Sequence, residues 1–253
     1  MLEEKIIINT RPTGSEDLIG KALKKLGAVV LPMPLIETFQ IPISQQLKSD
    51  ITKNNTYQWL VFTSKNGVDY LFNQLGLTDN TPALPFRTAV FGNRTAAALR
   101  KKGFNPDLIV QGSTSKELLF GLLPKLQPND NILLTLGNLA SSVLEDGLQP
   151  KFSVTRFDVY RTEFVKSVET EMLNRISENN YDLILFTSPS GFKSFIHHAS
   201  ERVELQKLKI ACLGPTTEVA ILKDGLTPLI VAKPSGKVGL IKGVEQYFAK
   251  SQN

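Results

Sequence analysis

The fold class follows from one stretch, Leu183-Ile184-Leu185-Phe186-Thr187-Ser188-Pro189-Ser190-Gly191-Phe192. Its leading apolar residues are too few for a helix core, and ahead of a Thr/Ser/Pro/Gly turn they are typical of a buried strand in a parallel sheet. The turn then opens a helix, because Ser188 or Ser190 can cap it and Pro189 suits its first position. A strand that ends in a hydroxyl-rich turn at a helix N-terminus is a place where an anion binds.

The same unit occurs earlier in the chain, as Trp59-Leu60-Val61-Phe62-Thr63-Ser64-Lys65-Asn66-Gly67-Val68. Thr63 and Thr187 are 124 residues apart, and Gly92 and Gly214 are 122 residues apart. Repeated strand–helix units with parallel strands predict the α/β class, with a doubly wound, flavodoxin-like sheet in each half. Ligands bind at the carboxyl ends of the strands in such sheets, so we expect the two ligand faces to look into one cleft.

Two segments interrupt this plan, because apolar and polar residues alternate in 35–41 and again in 157–163. We expect these segments to run side by side as a two-strand β-ladder that acts as a hinge. One α/β domain is then discontinuous and consists of residues 1–34 plus 164–253. The other α/β domain is residues 42–156.

Composition excludes several classes of protein. The 253 residues are 42% hydrophobic and 21% charged, as in ordinary globular proteins, and a net charge of +5 does not by itself indicate nucleic acid. The segment Met1-Leu2-Glu3-Glu4-Lys5 has acids where a signal peptide has bases. No stretch approaches the roughly 20 apolar residues that span a bilayer, so we expect a cytoplasmic protein without a membrane partner. Cys212 is the only cysteine, and its apolar surroundings indicate a buried, inert thiol.

Common catalytic signatures are absent. No P-loop, dinucleotide-binding or nucleophile-elbow motif occurs, and His197 and His198 are the only histidines. A His-rich metal site and a Ser-His-Asp triad are therefore not expected, and we predict no metal ligands.

Four turns carry the chemistry instead, because each combines hydroxyls with unpaired backbone N–H groups at a helix start. They are residues 63–67, 92–95, 187–191 and 214–217, and the helix after the second turn is expected at Ala96 to Lys102. Any one of them is an ordinary helix cap, but four at equivalent places in two copies favour a ligand. Phosphate and carboxylate both satisfy such donors. The predicted ligand-binding residues in these turns are Ser64, Asn66, Gly67, Thr95, Ser188, Ser190, Gly191, Thr216 and Thr217.

Two further side chains complete the predicted site. Tyr160 lies on the second alternating segment, where it either points into the cleft or fills a half-buried sheet face. Arg11 follows the first strand and pairs either with a ligand carboxylate or with a structural acid. The site therefore consists mainly of hydrogen-bond donors, which hold a polyanion but offer little acid–base chemistry.

Six motifs, taken together, resemble those of the uroporphyrinogen-III synthase family in order and spacing over nearly the whole chain. They are Asn9-Thr10-Arg11-Pro12, Phe62-Thr63-Ser64-Lys65-Asn66-Gly67-Val68, Phe91-Gly92-Asn93-Arg94-Thr95-Ala96, Val159-Tyr160-Arg161-Thr162, Phe186-Thr187-Ser188-Pro189-Ser190-Gly191 and Leu213-Gly214-Pro215-Thr216-Thr217. The resemblance implies a lyase of haem and tetrapyrrole biosynthesis that needs no cofactor. Its substrate is hydroxymethylbilane, a linear tetrapyrrole polycarboxylate, which the family dehydrates and closes to uroporphyrinogen III, inverting ring D through a spiro intermediate.

The resemblance also implies roles for particular residues. The conserved tyrosine of the family corresponds to Tyr160, as a proton donor to the leaving hydroxyl or a group that orients it. Its threonines correspond to Thr95 and to Thr216 or Thr217. The segment Leu136-Gly137-Asn138-Leu139-Ala140 lacks the Arg-rich turn that many members have there, so a substrate contact from that loop is not carried over. We expect a monomer that receives its substrate by transient hand-off from hydroxymethylbilane synthase.

Two other functions share these features. A two-domain anion- or ligand-binding protein without catalysis has the same hinge, cleft and duplicated sheets, but such proteins usually carry an export signal. A phosphosugar enzyme uses similar turns, but the turns of this chain contain no general base.

Overall fold

The computed structural model describes residues 2–11, 17–53, 55–77, 84–112 and 114–250, so Pro12 of the first motif lies outside the described residues. The strands are β1 (Ile6–Asn9), β2 (Val29–Pro32), β3 (Ile36–Gln40), β4 (Trp59–Phe62), β5 (Arg87–Phe91), β6 (Leu108–Val110), β7 (Asn131–Gly137), β8 (Ser153–Phe164), β9 (Leu183–Phe186), β10 (Ile210–Cys212) and β11 (Ile230–Val231). The α-helices are α1 (Leu18–Lys25), α2 (Gln45–Thr52), α3 (Lys65–Leu75), α4 (Gly92–Lys101), α5 (Ser115–Leu122), α6 (Val143–Leu148), α7 (Thr170–Ser177), α8 (Pro189–Ala199), α9 (Pro215–Lys223) and α10 (Lys237–Lys250). Short 3₁₀ helices lie at Leu123–Lys125 and Leu205–Lys207. Among the helices of these ranges, none has the length and apolar character needed to cross a membrane.

The chain forms two compact units, each built on its own sheet. Unit 1 consists of residues 1–37 with 163–253, and unit 2 of residues 38–162. The five-stranded sheet of unit 1 has the order β11-β10-β9-β1-β2, and its strand pairs are parallel. Numbered along the chain this is the 2-1-3-4-5 order of flavodoxin-like sheets. The six-stranded sheet of unit 2 has the order β3-β8-β7-β4-β5-β6, parallel from β8 to β6. The predicted α/β class with parallel sheets is confirmed.

The central strands of each sheet are buried on both faces. In β9, Ile184 and Phe186 point into one apolar cluster, while Leu183 and Leu185 point into another on the opposite face. The strand β4 alternates in the same way between the two clusters of unit 2. Side chains alternate across a strand, so a continuous apolar run must bury both faces, and helices cover each side of the sheet.

Each unit is assembled from both copies of a tandem repeat. Copy 1 runs from β1 to α5 and copy 2 from β7 to α10, with β4 and β9 placed 124 residues apart. Unit 1 takes β1, α1 and β2 from copy 1 and its other parallel strands from copy 2. Unit 2 takes β7, α6 and most of β8 from copy 2 and its other parallel strands from copy 1. The structural repeat therefore includes the first strands of each copy as well as the later elements that the sequence indicated. Within it, β2 and β3 together correspond to the single long strand β8.

Equivalent side chains join the two copies inside each sheet. In unit 1 the carboxylate of Asp182 accepts a hydrogen bond from the Ile6 backbone N–H at 2.8 Å. In unit 2 the amide oxygen of Gln58 accepts one from the Asn131 N–H at 2.9 Å. Asp182 and Gln58 precede β9 and β4 at matching positions. The two copies therefore share this hydrogen bond although different residue types accept it.

The two alternating segments lie side by side as β3 and β8 in the sheet of unit 2. Backbone hydrogen bonds from Ile41 N to Val159 O (3.0 Å) and from Val165 N to Leu35 O (3.1 Å) show that the two strands run antiparallel. The ladder is not isolated, because β8 also pairs with β7 along most of its length. The segment 157–163 is thus part of an internal strand of the sheet.

Helices α3 and α8 hold the segments through which the chain passes between the units. On α8, Ser194 Oγ donates to the carbonyl of Leu35 at 2.6 Å, and His198 Nε2 lies 2.9 Å from the carbonyl oxygen of Val165. The equivalent positions on α3 are Tyr70, bonded to the carbonyl of Thr38 (3.0 Å), and Gln74, bonded to the carbonyl of Ile41 (3.1 Å). In both copies the helix that follows a predicted ligand turn is therefore bonded to a crossover segment.

Candidate functional site

The four predicted ligand turns lie at the carboxyl ends of parallel strands. In unit 2 they follow β4 and β5, and in unit 1 they follow β9 and β10. Strand polarity places helix N-termini at this edge, where their partial positive charge and backbone donors accumulate. The sequence therefore predicted correctly that these turns connect parallel strands to helix N-termini.

Two of the turns are closed by serine caps. Ser64 Oγ accepts a hydrogen bond from the Gly67 N–H at 3.1 Å, and Ser188 Oγ accepts one from the Gly191 N–H at 3.1 Å. Of the two serines that could cap α8, Ser188 does so, while the Ser190 hydroxyl lies 3.1 Å from that of Ser188. The N–H groups of these two glycines are therefore engaged within their own turns.

A pair of buried threonines fixes the strand ends beneath these turns. Thr10 Oγ1 donates to the Leu185 carbonyl at 2.7 Å, and Thr135 Oγ1 donates to the Val61 carbonyl at 2.8 Å. A Cβ on Gly67 would lie 3.0 Å from the carbonyl oxygen of Thr135, which explains why the turn after β4 uses glycine. Aligning 7–10 with 132–135 places the two threonines at matching positions of the repeat.

The other two turns open helices without a side-chain cap. Helix α4 begins at Gly92, so the expected start at Ala96 is wrong; Gly92, at a φ of 77°, turns the chain into the helix directly after Phe91. Thr95 is buried in the first turn of α4, and Thr217 is buried in the first turn of α9. Thr216 is exposed. The resemblance matched a family threonine to either Thr216 or Thr217. Thr217 is the structural equivalent of Thr95.

A β-bulge sets the direction of Tyr160. Leu136 pairs with Asp158, but the next residue, Gly137, pairs with Tyr160, so β8 contains one extra residue at this point. The backbone N–H of Asn138 then donates to the Tyr160 carbonyl at 3.1 Å. A Cβ on Gly137 would overlap Cζ of Tyr160 and lie 2.7 Å from both Cε2 and the phenol oxygen. The end of β7 is thus a glycine because the tyrosine ring occupies the space of a side chain.

The Tyr160 hydroxyl lies 3.2 Å from Ser64 Oγ, so two predicted site residues that are 96 positions apart meet in unit 2. The Tyr160 ring stacks on that of Tyr70, with centroids 5.6 Å apart and an interplanar angle of 25°. Burial raises the pKa of Tyr160 above its ordinary value of 10.0, and the hydrogen bond with Ser64 offsets part of that rise. Tyr160 is therefore a neutral phenol at physiological pH and can donate a proton or a hydrogen bond.

The segment 136–140 is organised by Arg156 of β8. Its guanidinium donates to Glu145 at 2.7 Å and to Asp158 at 2.8 Å, and it reaches the Ala140 carbonyl at 3.3 Å. The hydrogen bond with Asp158 raises the pKa of the guanidinium. The chain lacks arginines within this loop, and an arginine on the neighbouring strand fixes the loop's backbone instead.

Arg11 lies at the end of β1, one residue after Thr10, and is half-buried. Its backbone N–H donates to the side-chain oxygen of Asn9 at 3.4 Å, and the Asn9 amide donates to Asp17 at 2.9 Å. Because β1 and β9 are parallel neighbours, Arg11 lies at the same edge of the sheet as the turn after β9.

Sequence reasoning missed Tyr70, Gly137 and Arg156. None of the three belongs to a motif, and each acquires its role only when strands or helices distant in the chain are packed together. The alternation of β8 indicated that Tyr160 faces one side of a sheet, but the bulge at 158–160 changes that direction and leaves no local signal.

Comparison with known proteins identifies relatives along the whole chain. The sequence model of the family described as uroporphyrinogen-III synthase HemD matches residues 17–242. A putative uroporphyrinogen-III synthase of Methanocaldococcus jannaschii is 25% identical over 231 residues, covering 89% of this chain and 92% of that protein. The porphyrin biosynthesis protein HemD of Ruminiclostridium josui is 26% identical over 230 residues, which are 90% of this chain. The chain spans only 45% of that protein's length.

Solved structures share the fold. The uroporphyrinogen-III synthetase of Helicobacter pylori superposes with a TM-score of 0.65 at 18% identity, covering 100% of both chains. A mutant uroporphyrinogen III synthase of Thermus thermophilus gives a TM-score of 0.64 at 20% identity, covering 97% of this chain and 99% of that one. At such identities the likeness concerns the fold.

Proposed function

The chain belongs to the uroporphyrinogen-III synthase family, and on that basis we propose that it converts hydroxymethylbilane into uroporphyrinogen III. The reaction removes water, closes the macrocycle and inverts ring D. One observation supports a catalytic site in unit 2 above all others: a neutral, half-buried phenol, Tyr160, bonded to Ser64 at the ligand edge of the sheet. A binding protein without catalysis would use the same donors, but the family match favours the synthase.

Tyr160 is proposed to assist the departure of the ring A hydroxyl. The carbon–oxygen bond breaks as the phenol donates its proton to the leaving oxygen, which departs as water, and the pyrrole nitrogen supplies electrons to the azafulvene cation that remains; the proton released when the pyrroles rearomatise after ring closure restores the phenol. The substituted carbon of ring D then attacks this cation and forms the spiro intermediate, which opens and recloses as the type III isomer. The Ser64 hydroxyl orients the phenol in the first step.

The other predicted residues are proposed to hold the substrate's acetate and propionate groups. In unit 2 these are Asn66, Gly67 and Thr95; in unit 1 they are Arg11, Ser188, Ser190, Gly191, Thr216 and Thr217. Thr95 and Thr217 lie in first turns that lack a side-chain cap, which supports a carboxylate as the missing acceptor. The bilane closes without enzyme to the type I isomer, so the protein's task is to fold the chain and favour one path.

The test is an isomer assay. Freshly prepared hydroxymethylbilane is incubated with the protein, the products are oxidised, and isomers I and III are separated by chromatography. We expect type III to exceed the buffer control, and Tyr160→Phe to lower its rate by about 10- to 100-fold while the fold is retained. Tyr57→Phe, in the same core but without contact with Ser64, is the matched control and should keep the wild-type rate. Type III at or below the buffer level would refute the proposed function.

We also propose that residues 35–41 and 157–163 act as hinge strands between domains 1–34 plus 164–253 and 42–156. The hydrogen bonds of α3 and α8 to these segments support this role, because they connect the ligand turns to the crossovers. The protein is further proposed to act as a cytoplasmic monomer that needs no cofactor and takes its substrate from hydroxymethylbilane synthase. Analytical ultracentrifugation of the protein alone, and of a mixture with that enzyme, measures both associations.

A further inference from the structure

We propose that Tyr70 is a positioning residue that holds the ring of Tyr160 for the reaction. The inference rests on the proposed function, because it gives Tyr70 its role through Tyr160. The two rings lie 5.6 Å apart at an interplanar angle of 25°, within the range of offset-stacked aromatic pairs. Such a stack restricts where the phenol of Tyr160 can point.

Tyr70 is itself fixed by Thr38 on β3. Its hydroxyl donates to the Thr38 carbonyl at 3.0 Å and lies 2.8 Å from the Thr38 hydroxyl, which completes the pair by donating in return. A phenol has one proton to donate, and here that proton and an oxygen lone pair are both engaged. The Tyr70 ring therefore has little freedom to rotate away from Tyr160.

One helix contacts Tyr160 at two points. Ser64 caps α3 and meets the Tyr160 hydroxyl, and Tyr70, six residues later on the same helix, meets the ring. Gly137 on β7 provides the third contact, because it leaves room for the ring. A side chain supported at both its hydroxyl and its ring is held in one geometry, as a proton donor must be.

The experiment compares Tyr70→Leu and Tyr70→Phe with Tyr57→Leu in the full chain, each alone and combined with Tyr160→Phe. Tyr57 is a buried tyrosine of the same core that precedes β4, whereas Tyr160 meets the turn after β4, so Tyr57→Leu reproduces the loss of an aromatic ring at the other end of the strand. Circular dichroism checks the fold of each variant, and kcat and KM for type III formation are measured separately.

We expect Tyr70→Leu to lower kcat about tenfold with KM within about twofold, because it removes a contact that orients a reacting group rather than one that binds substrate. Tyr70→Phe keeps the stack and should lose only about threefold. In the Tyr160→Phe background, Tyr70→Leu should cost less than about twofold, whereas Tyr57→Leu should cost the same in both backgrounds.

Equal losses for Tyr70→Leu and Tyr57→Leu in an active wild-type background would overturn this inference and leave the proposed function intact. If Tyr70→Leu does not fold, Tyr70→Phe decides: a threefold loss that disappears in the Tyr160→Phe background supports the inference, and an unchanged rate overturns it. A wild-type protein that forms no type III isomer overturns the proposed function and this inference together.

Discussion

Replacing Gly137 by alanine should displace the Tyr160 ring. The new methyl group would overlap Cζ and lie 2.7 Å from Cε2 and from the phenol oxygen. Non-bonded carbon atoms prefer a separation of about 3.5 to 4.0 Å, so the ring has to retreat by about 1 Å unless the backbone moves. A misplacement of about 1 Å can cost about 100-fold in rate, and backbone relaxation absorbs part of it. We therefore expect Gly137→Ala to lower type III formation by about 10- to 100-fold.

The isomer assay measures this loss, and Gly147→Ala is its matched control. A Cβ on Gly147 would crowd the Leu119 side chain in the same unit, so this variant loses stability through overpacking but leaves Tyr160 untouched. Combined with Tyr160→Phe, Gly137→Ala should add little further loss, because both changes act on the same hydroxyl. A folded Gly137→Ala variant with the wild-type rate would show that the position of Tyr160 does not matter.

Three further predictions concern stability and reactivity. Burial raises the pKa of Tyr160 and Tyr181 above 10.0, so the free energy of unfolding should be insensitive to these groups below about pH 10 and should fall as pH rises through that value, since the unfolded chain loses these protons first. Urea unfolding at a series of alkaline pH values checks this, and Tyr181→Phe should reduce the dependence. Ser188→Ala should lower the free energy of unfolding by about 1 kcal/mol through loss of the α8 cap, whereas a change within about 0.3 kcal/mol in urea titrations would contradict that role. Burial raises the pKa of Cys212 to about 11, so a thiol reagent at pH 8 should label the protein only after denaturant is added.

The strand ends and helix starts at the four turns could be predicted because their signals are local. The apolar run before Thr187 specifies a buried strand, and Ser188 with Pro189 specifies the start of a helix, whatever the rest of the chain does. The meeting of Ser64 with Tyr160 could not be derived in this way. It requires β8 to pair with β7 and a bulge to turn Tyr160, and both depend on backbone contacts between distant segments.

The sequence likewise does not show that each unit combines strands from both copies of the repeat. The apolar runs 6–8 and 132–134 read as buried strands in either arrangement, and periodicity does not say which strand pairs with which. In the sequence, glycines and threonines in the later part of each copy show the offset of 122 to 124 residues. Directly before β9 and β4, Asp182 and Gln58 accept equivalent hydrogen bonds with different side chains, so at these two positions residue identity does not reveal the correspondence.

Because unit 1 combines strands from both copies of the repeat, its strands are synthesised at widely separated times. Thr10, directly after β1, bonds to Leu185, which is 175 residues later in the chain and is made roughly 9 to 35 s after it at about 5 to 20 residues per second. Unit 2 is continuous, so all of its residues have been synthesised by then. During that interval β1 can pair only with β2, so its other edge, which later pairs with β9, is open to wrong partners. This edge of β1 is therefore among the last to be paired, so misassembly of unit 1 during folding should begin there.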